Sequence, residues 1–444
     1  MAAWMPRRPG ADAGEHRNQI GEDKTMRGFR GLLLGIAMSV GAIAGARAQA
    51  VEIEYWQYVF DARIKAMNEL IKRFEAANPT IKVKHTTFPY ADYQTKIVAA
   101  APAGQGPDVV QLFYGWVDNF IAGKVIRPLP RDAFPPEMIE KEFYPIVSAM
   151  KREGEYYALP TAVRSLALFY NKKIFQEAGL DPSKPPKTLD EFLDAAKKTT
   201  KRDGAGNMLQ AGVTLDMPGQ DYHWWREVLL RQMGGKPYSD DNKTVTYASE
   251  AGAKSLAWYA DLQRTHKVGL AGFMDEGQAA FRAGRAAMTI DGSFRLGAFG
   301  GIKNFEWGVA ELPAGPDGTK SNFASYWVNA ITTKPTGEKL EAAKKFMAFV
   351  TSPEAMQLWL ETVGELPARK AAAETEKNLA HPIYGPFLKA LNYSQATVFV
   401  DELPQRQVIL DMANRVLLQN QEPKAALAEA AKAEQAILDR FYKK

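Results

Sequence analysis

Between Val51 and Leu112 the chain runs strand, helix, strand, helix, strand, and no other feature restricts its fold as strongly. Val51, Ile53 and Tyr55 alternate on one face of a strand that ends at Trp56. Asp61 is placed to cap a helix, and Ile64, Met67, Ile71 and Phe74 recur at helical spacing until Asn78-Pro79 stops it. A second strand is expected over Thr80–His85 and a second helix over Tyr90–Ala101. A Gly/Pro turn follows, then a third strand over Asp108–Leu112. Strands joined through helices pair in parallel, and such sheets bind their ligands at the carboxyl ends of the strands. Here those ends are Trp56-Gln57-Tyr58 and Phe113-Tyr114-Gly115-Trp116.

A second unit opens near Tyr157-Ala158-Leu159-Pro160. Strands are expected over Ser165–Tyr170, Ala211–Leu215, Ala286–Ile290, Trp307–Leu312 and Tyr326–Thr332. Helices are expected over Leu189–Thr200, Tyr222–Met233, Ala248–Arg264 and Gly277–Gly284. Three more, around Leu340–Val350, Glu354–Val363 and Lys424–Phe441, finish the chain. The 444 residues suit two or three domain-sized units at ~150 residues each.

The N-terminus reads as two pieces. Residues 1–25 are polar, without apolar periodicity, and are taken as an extension or a start-site artefact. From Met26 the pattern is that of a signal peptide over 26–50: Arg27 and Arg30, an apolar run Gly31–Ala46, and small residues for cleavage near Ala48 or Ala50. That run falls short of the ~20 residues a membrane span needs. Cysteine is absent, which excludes disulfides, thiolate-held metals, cysteine nucleophiles and the lipid anchor of a lipoprotein. A periplasmic protein that is not a lipoprotein is the expectation.

Other function classes fare poorly. Beyond residue 48 there are 49 basic against 47 acidic side chains, too even a balance to attract nucleic acid. The histidines (His16, His85, His223, His266 and His381) show no metal-ligand spacing. Gly292-Ser293 lacks the flanking glycine of a nucleophile elbow, and no Gly-Lys-Ser/Thr phosphate loop occurs. No enzyme activity, metal or cofactor is expected; the alternative from that class is a secreted carbohydrate-active enzyme, whose paired carboxylates leave no sequence signature.

Six segments, in this order, carry a resemblance. They are Phe74…Asn78-Pro79-x-Ile81-Lys-Val83, then Pro107-Asp108-Val109, then Ala158-Leu159-Pro160 with Tyr170-Asn171-Lys172. After them come Phe281-x-x-Gly284-x-Ala286-Ala287-Met288, Trp307-Gly308-Val309-x-x-Leu312-Pro313, and Ala343-x-x-Phe346…Phe349 followed by Ser352-Pro353-Glu354. Together they resemble the extracellular solute-binding proteins of family 1, the maltose-binding-protein-like components of ABC importers, across nearly all of residues 51–444. The resemblance implies an α/β, two-lobed periplasmic binding protein fold, each lobe a mainly parallel sheet flanked by helices, with a hinge of several segments. It implies an N-terminal lobe of 51–160 plus 325–351 and a C-terminal lobe of 161–324 plus 352–444. The crossings are expected near Ala158–Val163, Ser321–Tyr326 and Val350–Pro353. It further implies a small-molecule ligand clasped between the lobes, delivery to a membrane permease powered by a separate ATPase, and a monomer.

In the family's pattern the residues facing the cleft are Trp56, Tyr58, Asp61, Tyr114 and Trp116 from the first lobe. From the second they are Arg164, Asp221, Tyr222, Trp224, Asp291, Ser293 and Arg295. Tyr326 and Trp327 stand beside the hinge, and Arg369 follows the Gly364-Glu365-Leu366-Pro367 turn. Sugars offer apolar C–H faces to aromatic rings and hydroxyl rims to paired donors and acceptors, which this mixture supplies. Arginine forks bind carboxylate or phosphate. Two readings therefore stand: a neutral sugar or polyol, or an anionic ligand such as a uronic acid, a sugar phosphate or glycerol phosphate if two of Arg164, Arg295 and Arg369 converge.

Overall fold

Each strand and helix expected between Val51 and Leu112 forms, with edges moved by a few residues. The computed structural model describes residues 50–101 and 104–443. The expected extension and nearly all of the expected signal segment lie outside the described residues. Strand β1 (Val51–Tyr58) leads into α1 (Asp61–Ala77), β2 (Ile81–Phe88), α2 (Tyr90–Ala100) and β3 (Val109–Phe113). β1 pairs in parallel with β2 from Val51↔Ile81 to Tyr58↔Phe88, and with β3 at Tyr55↔Val109. Helix α1 buries Ala66, Met67, Leu70, Ile71 and Phe74, and Asn78 ends it by donating from Nδ2 to the Phe74 carbonyl at 2.9 Å. Asp61 corrects one expectation. It is the first helical residue, Phe60 holds the cap position, and no side chain caps the helix. Its carboxylate still favours the positive end of the helix dipole.

The next long strand, β4 (Leu159–Asn171), follows a two-residue hairpin pair at Lys151–Arg152 and Glu155–Tyr156 and is 13 residues long, twice the segment read from sequence. Pro160 argues against a strand there, but the ladder shifts register beside it, at Trp327/Val328, where a missing N–H is tolerated. There follow α3 (Leu189–Thr199), β5 (Met208–Val213), the wide helical turns Trp224–Leu229 with Leu230–Gln232, and α4 (Glu250–Arg264). Then come β6 (Ala286–Gly292), β7 (Trp307–Ala310), β8 (Asn322–Ile331), α5 (Gly337–Val350), α6 (Pro353–Val363) and β9 (Leu366–Pro367). Helices α7 (Glu402–Gln419) and α8 (Pro423–Tyr442) close the fold.

The strands lie in the order β2-β1-β3-β8-β4-β6-β5. β8 runs antiparallel to β3 through Trp327–Ile331 and to β4 through Ala324–Asn329, while β4 continues along β6 from Leu166 to Tyr170. β4 and β8 thus belong to both halves of a two-lobed α/β fold. The bulge between Trp327 and Val328 lies where they cross.

Helix α7 is absent from the sequence reading. Its buried face (Gln405, Ile409, Met412, Ala413, Val416 and Leu417) has helical spacing, but Pro404 reads as a breaker. A proline in the first turn forfeits no intrahelical hydrogen bond. α7 and α8 are joined to the wide turns by a buried polar knot. The Arg226 fork meets Glu434 of α8 through Nη2–Oε1 (2.8 Å) and Nη1–Oε2 (3.2 Å), and both partners have no solvent exposure. Tyr238 bonds to each of them, and Gln405 donates to the Tyr238 hydroxyl at 2.7 Å.

Candidate functional site

The carboxyl ends of β1, β2 and β3 present rings that pack on Trp327 of β8. Tyr58 stacks on Trp327 with centroids 4.1 Å apart, Trp116 meets it edge-on at 5.4 Å, and Tyr90 at 6.2 Å. Trp327 is only partly buried, and Tyr90 is half exposed. Trp56 lies behind them, buried against Phe88. Period two explains the arrangement: Trp56 and Tyr58 share one face of β1, leaving Tyr55 and Gln57 to the other.

Beneath the rings sits a charged triad. Arg63, on α1 and 1% exposed, donates to the Tyr58 hydroxyl and to Glu365, with its guanidinium 5.3 Å from the Tyr58 centroid and 5.7 Å from that of Trp327. Arg164 approaches the same Glu365 oxygen with Nε at 2.8 Å. The Trp359 indole N–H donates to the other oxygen at 2.9 Å. This geometry follows from the backbone. Gly364, at φ +81°, ends α6 in the left-handed conformation that glycine adopts freely, and β9 then pairs Leu366 with Val163. Glu365 is therefore held next to Arg164.

The β6 end lies on the other side of Arg164 from Glu365. The Phe294 ring folds over Gly292, where an added Cβ would lie 2.1 Å from the ring. Arg164 and Arg295 both approach that ring, at 5.4 and 5.3 Å from its centroid. Arg295 Nε pairs with Asp291 at 2.9 Å. Ser293 is buried and its hydroxyl has no partner among the described residues, as is true of the Tyr114 and Tyr222 hydroxyls. Buried hydroxyls left unpaired by protein mark places where water or a ligand completes the bonding. Tyr114 packs on Tyr326 at 4.9 Å and near Phe399, which lies parallel to Tyr222, and Arg406 of α7 covers Tyr222 at 4.9 Å.

Several expected residues point elsewhere. Asp61 is exposed beside the ring cluster. Trp224 is buried among Phe192, Trp258 and Tyr259, and Trp225 lies against Tyr247, so both rings serve the lobe interior. The Tyr326 hydroxyl donates to the Ile146 carbonyl at 2.8 Å. Arg369 is spent on Glu142 and the Thr351 carbonyl and lies over Phe143. Asp221 accepts from the Asp216 N–H and the Tyr259 hydroxyl, both at 2.7 Å. Arg63, Tyr90, Phe294, Glu365, Phe399 and Arg406 were not anticipated. Only Tyr90 carried a readable signal, an aromatic residue just past the second strand.

Burial raises the Asp221 carboxyl to about 7 and the Asp291 carboxyl to about 6. The folded chain therefore keeps protons that the unfolded chain releases near pH ~4, so each group favours folding at low pH and loses that contribution as pH rises to its folded value. Asp221→Asn is expected to flatten this fall: thermal midpoints from about pH 5 to about pH 8 should drop less for the variant than for the wild type. Parallel profiles would contradict it.

Among the described residues no group of three or more His, Asp and Glu side chains is placed to hold a metal, and no helix is long and apolar enough to cross a membrane. The family described as bacterial extracellular solute-binding protein matches residues 69–384. The sn-glycerol-3-phosphate-binding periplasmic protein UgpB of Escherichia coli O1:K1 is 27% identical over 447 residues, covering 92% of this chain and 97% of that protein. The cyclic alpha-maltosyl-1,6-maltose binding protein of Arthrobacter globiformis superposes with a TM-score of 0.78 at 21% identity, covering 88% of this chain and 100% of that one. An ABC transporter solute-binding protein of Thermotoga lettingae, bound with alpha-D-tagatose, does so with a TM-score of 0.70 at 26% identity and the same coverage.

Proposed function

The chain belongs to the bacterial extracellular solute-binding proteins, and from that premise we propose that it captures a carbohydrate or polyol between its lobes and delivers it to the permease of an ABC importer. One observation carries the reading. The partly exposed ring of Trp327, backed by Tyr58, meets a buried array of guanidinium, carboxylate and unpaired hydroxyl groups drawn from both ends of the sheet. That is the surface a sugar requires, with stacking for its C–H face and fixed donors and acceptors for its rim. The ligand-contacting residues are Tyr58, Trp116, Arg164, Ser293, Arg295 and Trp327, joined by Tyr90 and Arg406. The lobes comprise 51–160 with 325–351, and 161–324 with 352–444, and β4 and β8 crossing between them support that division. The protein works in the periplasm as a single copy after its leader is removed, and performs no catalysis.

Closure requires contacts that only the shut form makes. Thermal melts of the mature chain with a panel of sugars and polyols should show a rise in midpoint for one class, since a ligand that binds only the folded state stabilises it. X-ray scattering should contract with the same compounds. A panel that moves neither would count against the reading, and so would turnover of any compound. Trp327→Ala is expected to weaken the ligand that emerges by ~10-fold or more, because it removes the stacking face. An unchanged affinity by calorimetry would remove Trp327 from the site.

A further inference from the structure

We infer that the group this site is built to seize is a carboxylate, so that the ligand is an acidic sugar seated on the free fork of Arg164. The inference rests on the capture of a carbohydrate at this site. Nε of Arg164 faces Glu365, and neither terminal nitrogen has an acceptor among the described residues; one of them, Nη2, is fully buried. A buried N–H without an acceptor is costly, and the cost is relieved only when something accepts from it. Two coplanar nitrogens on one guanidinium match the two oxygens of a carboxylate.

Charge points the same way. Arg63 and Arg164 place two positive charges against the single carboxylate of Glu365, whose second oxygen is occupied by the neutral indole of Trp359. Arg295 is matched by Asp291 across Phe294, and Arg406 by Glu402 at 3.5 Å. Around Glu365 itself the balance is a surplus of one positive charge, while Asp216 and Asp221 lie within electrostatic reach of Asp291 on the other side. A monoanion closes that balance. A phosphate dianion would overshoot it beside Glu365 and Asp291, in surroundings that penalise unpaired charge. Tyr58 and Trp327 stand over the same triad through Arg63, where the ring of the sugar would lie.

The test is calorimetric titration of the mature chain with D-glucuronate and D-galacturonate, with glucose and galactose, and with the 6-phosphates of those two sugars. A uronate should bind ~100-fold or more tightly than its neutral parent. Arg164→Gln should erase that advantage while keeping a near-native melting point, because the Arg63–Glu365 pair remains. Arg164→Lys, which keeps the charge without the fork, should restore only part of it. Neutral sugars that bind as well as the uronates, a 6-phosphate that binds ahead of them, or a uronate preference that survives Arg164→Gln would each overturn the inference and leave carbohydrate capture standing. Silence across the whole panel would count against both.

Discussion

Replacing Glu434 with alanine should cost the folded state about 3–5 kcal/mol, the range for stranding one partner of a buried ion pair. Arg226 would then hold its charge with no solvent exposure, lose both arms of its fork, and keep as counter-ion only Glu227, 3.8 Å from Nε and already shared with Arg231. Tyr238 and Gln405, which bond to the same carboxylate, would lose an acceptor as well. Urea unfolding should show a lower midpoint with an unchanged slope. The Arg226→Met, Glu434→Leu double replacement should recover much of the loss, because the pair is expensive to break and much less so to exchange for apolar packing. A single variant within about 1 kcal/mol of the wild type would mean that water reaches this knot.

Glu365→Ala should be damaging for the same physical reason at a different place. It leaves Arg63 and Arg164 as two like charges, one of them wholly enclosed, and strips the Trp359 N–H of its acceptor. A loss of about 3–5 kcal/mol is expected here too. Adding Arg63→Met to the alanine variant should return part of it, since the enclosed charge is then gone. If the second substitution lowers the melting point further, the triad is not held together by charge compensation.

The opening α/β unit was legible because its two periods, two for the strands and 3.6 for the helix, are written cleanly in Val51–Phe74. The ring-bearing strand ends were legible for a related reason, the rule that parallel sheets bind at their carboxyl ends. What the reading lacked were partners set by tertiary structure. Arg63 looks like an ordinary helix residue until Glu365, 302 positions away, is folded onto it. Arg369 looks like a free cation until Glu142 takes it. Trp224 was expected to face the cleft, yet the wide turns around Trp224–Leu229 are enclosed on both flanks, so its ring and that of Trp225 turn inward. Helix α7, and with it Arg406, was hidden by Pro404 in its first turn and by a blurred apolar face, with Gln405 buried and Leu403 and Leu418 exposed.

Arg164 stands on β4 and Trp327 on β8, the two strands that join the halves of the sheet and that the proposed function assigns to the crossings between lobes. Under the proposed function, recognition and flexure share a backbone. A lineage adapting this scaffold to another nutrient by exchanging either side chain would also reset the resting balance between gaping and shut. On that reading, specificity and motion are inherited as a single trait.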